Sequence, residues 1–331
     1  MTAPSTRIRR FRFNLPQRIA AGLLGLFLLQ GFWLIFRQPR LATGEINGAG
    51  ISSFFALILV QLFLLATGVI LGGALWWVTR RLFGNLGGYT ALALYCFSPA
   101  ILRACLAPNL EILAALGIYG GIYTCIGVAH AMQGPRRKWR PRIVLLTAIF
   151  FATAVAHIAA LAIVAIAGLA FMLWVAEGRR KLIFPVVFIA VAGASAARLV
   201  CYLLFPQNFA LSFFTIPAPG FSLASVAHFF ATPAHAGITL AAAAAFAYYL
   251  GSRRSRYFGN TVPLLSALVL LILPIGSATT PGLWALPFLL TFIGGIFADA
   301  FEGTQKRFAM TAAGGIVLLQ AVCDALSMKM L

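Results

Sequence analysis

Long apolar segments follow one another along most of this chain, and short polar segments separate them. Each long segment approaches the roughly 20 apolar residues that a helix needs to cross a membrane. The pattern predicts helical spans at residues 19–36, 51–78, 86–104, 110–131, 182–204, 236–251, 261–278, 283–300 and 308–326. The remaining apolar stretch, 143–176, has room for two short helices, or for a re-entrant pair, turning near His157. The predicted fold is an all-α bundle embedded in a membrane.

The polar segments are mostly basic, and this predicts the orientation of the helices. Twenty of the 25 Lys and Arg residues fall in six clusters, at residues 7–18, 80–81, 136–142, 179–181, 253–256 and 306–307. Lys and Arg accumulate in the cytoplasmic loops of membrane proteins, so we assign all six clusters to one side. An even number of crossings within 143–176 makes this possible. The result is about 11 transmembrane helices, with the N-terminus inside and the C-terminus outside.

Composition narrows the class of protein further. A net charge of +19 would suggest a nucleic-acid partner in a soluble protein. Here 62% of the residues are hydrophobic and 9% are charged, which leaves no soluble basic domain and predicts no nucleic-acid partner. We expect one membrane domain over residues 1–331, in a cell membrane that is a bacterial inner membrane. The five cysteines lack a CxxC spacing and are typical of small buried residues.

The chain has only six acidic residues, and their predicted positions divide them into two groups. Glu177, Asp299 and Glu302 belong to the cytoplasmic edge, where they would offset nearby Lys and Arg. The others, Glu45, Glu111 and Asp324, belong to the outer edge. Glu111 falls in the first turn of a helix, where the helix dipole favours a carboxylate. Asp324 lies near the end of the sequence, where we expect it to be solvated.

Two basic residues depart from the basic-inside pattern, and His157 presents a similar choice. Arg103 is predicted at the outer end of the third span, and Arg198 lies within the apolar segment 182–204. A guanidinium at membrane depth is costly, so Arg198 either extends to the outer interface or faces a partner such as a phosphate. His157 is either a buried histidine bonded to a backbone carbonyl or a polar group at an outer turn that contacts a ligand.

A family resemblance joins several of these residues. The segment Arg80-Arg81-Leu-Phe-Gly84 ends one span, the next span ends in Ser98-Pro99, and an acidic residue, Glu111, begins the span after it. This order resembles membrane glycosyltransferases of the C-type fold that use polyprenyl-phosphate sugars, such as protein mannosyltransferases and aminoarabinose transferases. The short helix pair of that family carries a Lys where this chain has His157. The resemblance covers residues 15–205, a transferase-like module, and leaves 206–331 as additional transmembrane helices.

The resemblance implies a reaction and a set of site residues. A sugar would pass from a polyprenyl-phosphate donor to an acceptor at the outer face of the membrane. Glu45 and Glu111 would be catalytic, with Glu111 also able to bind a divalent metal ion. Arg103, His157 and Arg198 would bind the phosphate of the substrate. The implied partner is therefore a membrane lipid that carries a sugar.

Two other classes of function remain open from the sequence. The predicted first outer loop, residues 37–50, is short and has Glu45 as its only acid. This favours a non-catalytic integral membrane subunit that scaffolds a larger complex with other membrane subunits. A transporter would show two matching halves with Gly- or Pro-broken helices. The sequence shows no clear duplication of that kind.

Overall fold

The chain is helical through most of the part that the structure describes. A computed structural model describes residues 14–37, 54–107, 109–135, 139–176, 180–204, 227, 229–272, 282–303 and 306–330, and none of these residues is in a strand. The α-helices are α1 Leu15–Arg37, α2 Phe54–Cys96, α3 Pro99–Leu106, α4 Glu111–Met132, α5 Arg140–Ala156, α6 Ile158–Val175, α7 Arg180–Leu204, α8 Ala236–Gly251, α9 Phe258–Ile272, α10 Leu286–Phe301 and α11 Lys306–Met330. The predicted all-α bundle is confirmed.

Length and composition identify membrane-spanning helices within this bundle. Seven of the described helical stretches are long and apolar enough to cross a membrane, and α9 and α10 are shorter apolar helices. Many large apolar side chains on α1, α7 and α11 point away from the bundle, for example Phe36, Phe188 and Leu318. A soluble protein rarely exposes so much continuous apolar surface. The chain is therefore a membrane protein.

The long helix α2 is a hairpin of two antiparallel arms. Gly84 joins the arms with φ 83° and ψ −177°, a conformation that glycine adopts without steric cost. The Tyr95 hydroxyl donates a hydrogen bond to the Gly68 carbonyl at 2.6 Å, although a straight helix would separate these residues by about 40 Å. The second arm breaks at Phe97 and continues as α3. The arms correspond to the predicted spans 51–78 and 86–104.

Helices α5 and α6 form a second hairpin, which turns at His157. Its φ of −157° and ψ of 124° interrupt the helix, so the predicted break near this residue is confirmed. Arg142, at the start of α5, donates to the Gly127 carbonyl at 2.6 Å. At the end of α6 the Val175 carbonyl accepts from Gln133 at 3.0 Å. The hairpin therefore begins and finishes beside the C-terminal end of α4.

The core forms where α2 packs against α10. A Cβ atom added to Gly87 would lie 2.6 Å from the Gly294 carbonyl oxygen, and the reverse substitution gives the same distance. Two backbones can approach this closely only where both residues are small. Buried apolar residues from α1 to α11 belong to one continuous cluster. The described residues after 205 therefore contribute to the same core as the described residues before it.

A buried glutamine on α11 makes hydrogen bonds to backbone groups at two helix breaks. Gln320 donates from Nε2 to the carbonyls of Phe97 and Ala234, each at 2.9 Å. Its Oε1 accepts from the Ile238 backbone N–H at 3.1 Å. Backbone groups freed by a break have no water to bond with inside a membrane, so another polar group must satisfy them. Gln320 does this for the break before α3 and for the start of α8.

Candidate functional site

Three of the residues selected from the sequence meet at one end of the bundle. Glu111 begins α4, His157 forms the turn between α5 and α6, and Arg198 lies on α7. Trp284, in the turn that precedes α10, contacts the first two of them. This end is the one opposite Arg80, because the second arm of α2 runs away from Gly84 toward Glu111. We refer to Glu111, His157, Arg198 and Trp284 as the outer-end cluster.

Glu111 is held by the turn before α4 and by Trp284. The Asn109 side-chain oxygen accepts a hydrogen bond from the Glu111 backbone N–H at 3.3 Å. The Glu111 side chain is buried, and its Oε2 accepts from the Trp284 indole N–H at 2.9 Å. The free backbone N–H groups of the first turn of α4 favour a negative charge at this position. These donors stabilise the buried Glu111 carboxylate at this end of the bundle.

Trp284 is the member of the cluster that our sequence analysis missed. It is buried in a turn, residues 282–285, that begins at Gly282 with φ 83°. The Gly282 carbonyl accepts from the backbone N–H groups of Ala285 and Leu286 and so starts α10. A tryptophan next to a turn at the end of an apolar segment is typical of the membrane interface. That signal was available in the sequence but does not indicate which carboxylate the indole contacts.

His157 lies against the other side of Trp284. The two rings meet edge to face, with centroids 5.2 Å apart. Partial burial, and then the nearby positive charge of Arg198, lower the pKa of His157 below its ordinary value of 6.5. Its Nδ1 is buried and makes no hydrogen bond within the described part of the chain. A neutral imidazole with a spare nitrogen can donate to or accept from a polar ligand.

Arg198 is buried against the end of α5. Its Nη1 donates to the Val155 carbonyl in the last turn of that helix. The last carbonyls of a helix lack partners within the helix, so the guanidinium satisfies one of them. Extension to the outer interface and contact with a phosphate both remain predictions.

The other predicted site residues stand apart from the cluster or outside the described residues. Arg103 is exposed on α3, and its charge acts on His235, at the start of α8. Glu45 lies outside the described residues, so its distance from Glu111 is not part of this structure. The grouping of all five residues remains a prediction.

The described residues do not supply a ligand set for a metal ion at Glu111. Among them, no three His, Cys, Asp or Glu side chains lie close enough together to hold one. The partner that Glu111 has in Trp284 is a hydrogen-bond donor and cannot bind a metal. The metal role of Glu111 stays a prediction that would need ligands beyond the described residues.

Two expectations for the remaining acidic residues have clear outcomes. Asp324 is not solvated, since its side chain is 1% exposed and accepts a hydrogen bond from Gln30 at 3.3 Å. That expectation is wrong because Asp324 lies on the buried face of α11 and contacts Gln30 of α1. Glu302 offsets a basic residue as expected, through an exposed ion pair with Arg254 at 3.1 Å.

The outer-end cluster has the chemical groups that binding a phosphate ester requires. Trp284 contacts a buried carboxylate and an imidazole, and a buried guanidinium lies near that imidazole. Planar guanidinium groups bind phosphate well, and a carboxylate can accept a proton.

Comparison of the chain with protein-family models, with characterised proteins and with solved structures finds no match.

Proposed function

We propose that this protein is a membrane glycosyltransferase-like protein that transfers a sugar from a polyprenyl-phosphate donor to an acceptor at the outer face. One observation carries the proposal: Glu111, His157 and Arg198 lie together around Trp284 at one end of a membrane bundle. They are distant in the sequence. An anion-binding group beside a carboxylate, at the edge of the membrane, is the arrangement that a lipid-linked sugar phosphate requires.

In the proposed reaction, an acceptor hydroxyl oxygen attacks the anomeric carbon of the sugar. The bond from that carbon to the phosphate oxygen breaks, and the lipid phosphate leaves with the electron pair. The hydroxyl proton passes to a carboxylate, Glu45 or Glu111. Arg198 and His157 bind the phosphate, and Arg198 offsets the charge that develops on it. Arg103 is a further phosphate contact on the outer surface.

The proposal includes a topology with eleven crossings. These are α1, the two arms of α2 with α3 extending the second, and the eight helices α4 to α11. The N-terminus is cytoplasmic, the C-terminus is outside, and the membrane is a bacterial inner membrane. The positions of described basic residues support this orientation. Arg80, Arg142, Arg180 and Arg254 lie at helix ends opposite those that form the outer-end cluster.

The test is a transfer assay in lipid vesicles with the full-length protein. A panel of radiolabelled polyprenyl-phosphate hexoses serves as donors, and E45Q and E111Q are compared with E302Q. Glu302 is an exposed acid at the opposite end of the bundle, so E302Q should retain wild-type transfer. We expect at least one of the other two variants to lose transfer. Wild-type activity in both would contradict the proposed chemistry.

A binding measurement tests the phosphate contacts separately. Binding of a polyprenyl phosphate is measured by native mass spectrometry for wild type, R198Q and R254Q. We expect R198Q to weaken binding by about tenfold or more, since a charged hydrogen bond contributes roughly 1.5–3 kcal/mol. R254Q removes an exposed arginine at the other end and should bind as wild type does. Equal binding by all three proteins would exclude Arg198 as a phosphate contact.

A second candidate function is a non-catalytic subunit that scaffolds a larger membrane complex. The observation that favours it is that the cluster also joins helix ends. Trp284 links α10 to α4 through Glu111, and Arg198 links α7 to the end of α5. If wild-type protein shows no transfer with any donor, and E111Q lowers thermal stability, the scaffold function replaces the catalytic one.

A further inference from the structure

A second buried polar group lies on α11, away from the outer-end cluster. Asp324 is 1% exposed, and its Oδ2 accepts a hydrogen bond from Gln30 Nε2 on α1 at 3.3 Å. Gln30 is about 10 Å from the end of α1 at Arg37, at a helical rise of about 1.5 Å per residue. In the proposed topology this depth is inside the apolar part of the membrane. The buried face of α11 is polar here, with Gln320 and Ser327 one turn away on either side.

Two oxygen atoms at this contact lack a donor. Asp324 Oδ1 and Gln30 Oε1 are both buried, and neither makes a hydrogen bond within the described part of the chain. Each can only accept while the carboxyl group is ionised. A buried acceptor without a donor costs roughly 1–3 kcal/mol, and more when it is charged. With an ionised Asp324, the contact therefore leaves two buried oxygen atoms without a hydrogen-bond donor among the described residues.

Among the described residues, the charged and titratable groups at this end of the bundle do not supply a counter-ion for Asp324. On the elements that pack against α11 here, they are Tyr95 and Cys96 on α2, Arg103 and Cys105 on α3, and His235 before α8, with Cys323 on α11 itself and Arg37 on α1, the helix that carries Gln30. Arg37 lies over the Trp33 ring, and Arg103 is exposed. His235 bonds through Nδ1 to the Phe229 carbonyl. No ion pair of Asp324 occurs among the described residues.

We propose that Asp324 is a proton-binding site, where the carboxyl group holds one proton as a neutral acid inside the membrane. A single proton removes the charge that burial makes costly, and it converts one carboxyl oxygen from an acceptor into a donor. The bound proton therefore removes the buried charge and also supplies a hydrogen-bond donor to the Gln30–Asp324 contact. Intramembrane carboxyl groups of this kind belong to proton pathways in membrane proteins.

The proton also links two distant parts of the chain. Gln30 is on the first described helix and Asp324 on the last, so their contact joins α1 to α11. With the proton bound, this contact is between two neutral groups. When the proton is lost, a charge must be buried or hydrated, which favours separation of the two helices. The bound proton therefore determines whether this contact between α1 and α11 joins two neutral groups or buries a charge.

The carboxyl group of Asp324 can be observed selectively by isotope labelling, because Asp299 and Asp324 are the only two aspartates in the chain. Full-length protein is labelled with carbon-13 at the aspartate side-chain carboxyl, reconstituted in lipid nanodiscs at neutral pH and studied by infrared spectroscopy. The D299N variant leaves Asp324 as the only labelled carboxyl group. We expect its signal at the frequency of a protonated acid, sensitive to exchange into deuterated water. A carboxylate signal would overturn the proposal.

The D324N variant gives a second, independent comparison. Asparagine has the shape of the neutral acid and can still contact Gln30, so we expect this variant to fold and to lose the acid band completely. An acid band that persists in D324N would belong to another group and would overturn the assignment. The spectra are recorded in buffers with sodium and with N-methylglucamine. If sodium replaces the acid band by a carboxylate band, the site binds a metal cation and not a proton.

Discussion

At the scale of single residues, Trp284 shows how one side chain organises the outer-end cluster. Its indole N–H donates a hydrogen bond to Glu111, and its ring system packs edge to face with the His157 ring. A donor to a buried carboxylate contributes more than a neutral hydrogen bond does. Trp284 therefore contributes to the site through a hydrogen bond and through packing, and these contributions can be separated by substitution.

The W284F variant removes the hydrogen bond and keeps an aromatic ring. We expect it to lower the free energy of unfolding by about 1–3 kcal/mol, because the buried Glu111 carboxylate loses the hydrogen bond from the indole N–H. Equilibrium unfolding of the purified protein measures this. The matched control is W174F, which changes an exposed tryptophan that contacts Phe258. Equal effects of the two substitutions would show that the Trp284–Glu111 bond contributes nothing specific.

His157 predicts a dependence of stability on pH. Its pKa is lowered in the folded protein, so below 6.5 the unfolded chain takes up a proton that the native protein does not. Stability should therefore fall as the pH decreases through 6.5, until the folded protein is also protonated. Thermal unfolding on both sides of this value measures the change. H157N should reduce it, whereas H130N, at an exposed position, should retain it.

The sequence identified the charged members of the cluster and not their surroundings. Glu111 and Arg198 stand out because charges are rare in apolar segments, and His157 because it lies between two helical stretches. Trp284 did not stand out, because aromatic residues are frequent throughout this chain. The prediction for Asp324 was wrong for a related reason. Proximity to the end of the sequence says nothing about which face of a helix packs inward.

At the scale of helices, breaks in the chain determine which residues meet. The break at Gly84 agrees with the loop predicted at the basic pair Arg80 and Arg81, and the break at His157 agrees because a basic cluster flanks each end of 143–176. The apolar pattern predicted one span over residues 86–104, whereas the family resemblance ended that span at Ser98-Pro99, where the structure has a break. Ser98 has an extended conformation and Pro99 begins α3, as the restriction that proline places on the preceding residue explains. Apolar length alone does not reveal a break inside a span.

Glycines on α4 offer a test of helix packing. A Cβ atom at Gly117 would collide with the Thr153 side chain of α5, whereas at Gly127 it would meet nothing within 4 Å. We expect G117A to destabilise the protein by about 1–3 kcal/mol through overpacking. G127A should be neutral, or stabilising by about 0.5–1 kcal/mol, because alanine favours helices. Unfolding of both variants under the same conditions measures the difference, and a neutral G117A would contradict the close packing of α4 and α5.

At the scale of the whole molecule, the sequence predicted the fold class and not the pairing of helices. Helices that face lipid and helices that face protein are both apolar, so hydrophobicity does not distinguish α10 from its neighbours. The glycine pair Gly87 and Gly294 places α10 directly against α2. Small residues at both positions permit this contact, but many glycines in the chain could have done so. Three-dimensional packing is needed to select the pair.

Accessibility to labels tests the proposed orientation of the whole bundle. Single cysteines at positions 45 and 218 should react with a membrane-impermeant reagent added from outside, whereas those at 138 and 254 should not. The native cysteines are replaced first, and reaction after membrane permeabilisation is the control for each position. Positions 138 and 254 belong to basic clusters, which are expected on the cytoplasmic side. Outside labelling at position 138 would contradict the topology.

The hydrogen bonds made by Gln320 have a consequence for how the chain inserts into the membrane during synthesis. The carbonyls of Phe97 and Ala234 and the N–H of Ile238 obtain their partner from a residue that the ribosome adds long after them. Until α11 inserts, these groups face lipid or a transient partner. A nascent chain that stops short of residue 320 therefore exposes polar backbone within the bilayer, a feature that membrane quality control can recognise. Insertion of α11 therefore supplies the polar partner that these backbone groups otherwise lack.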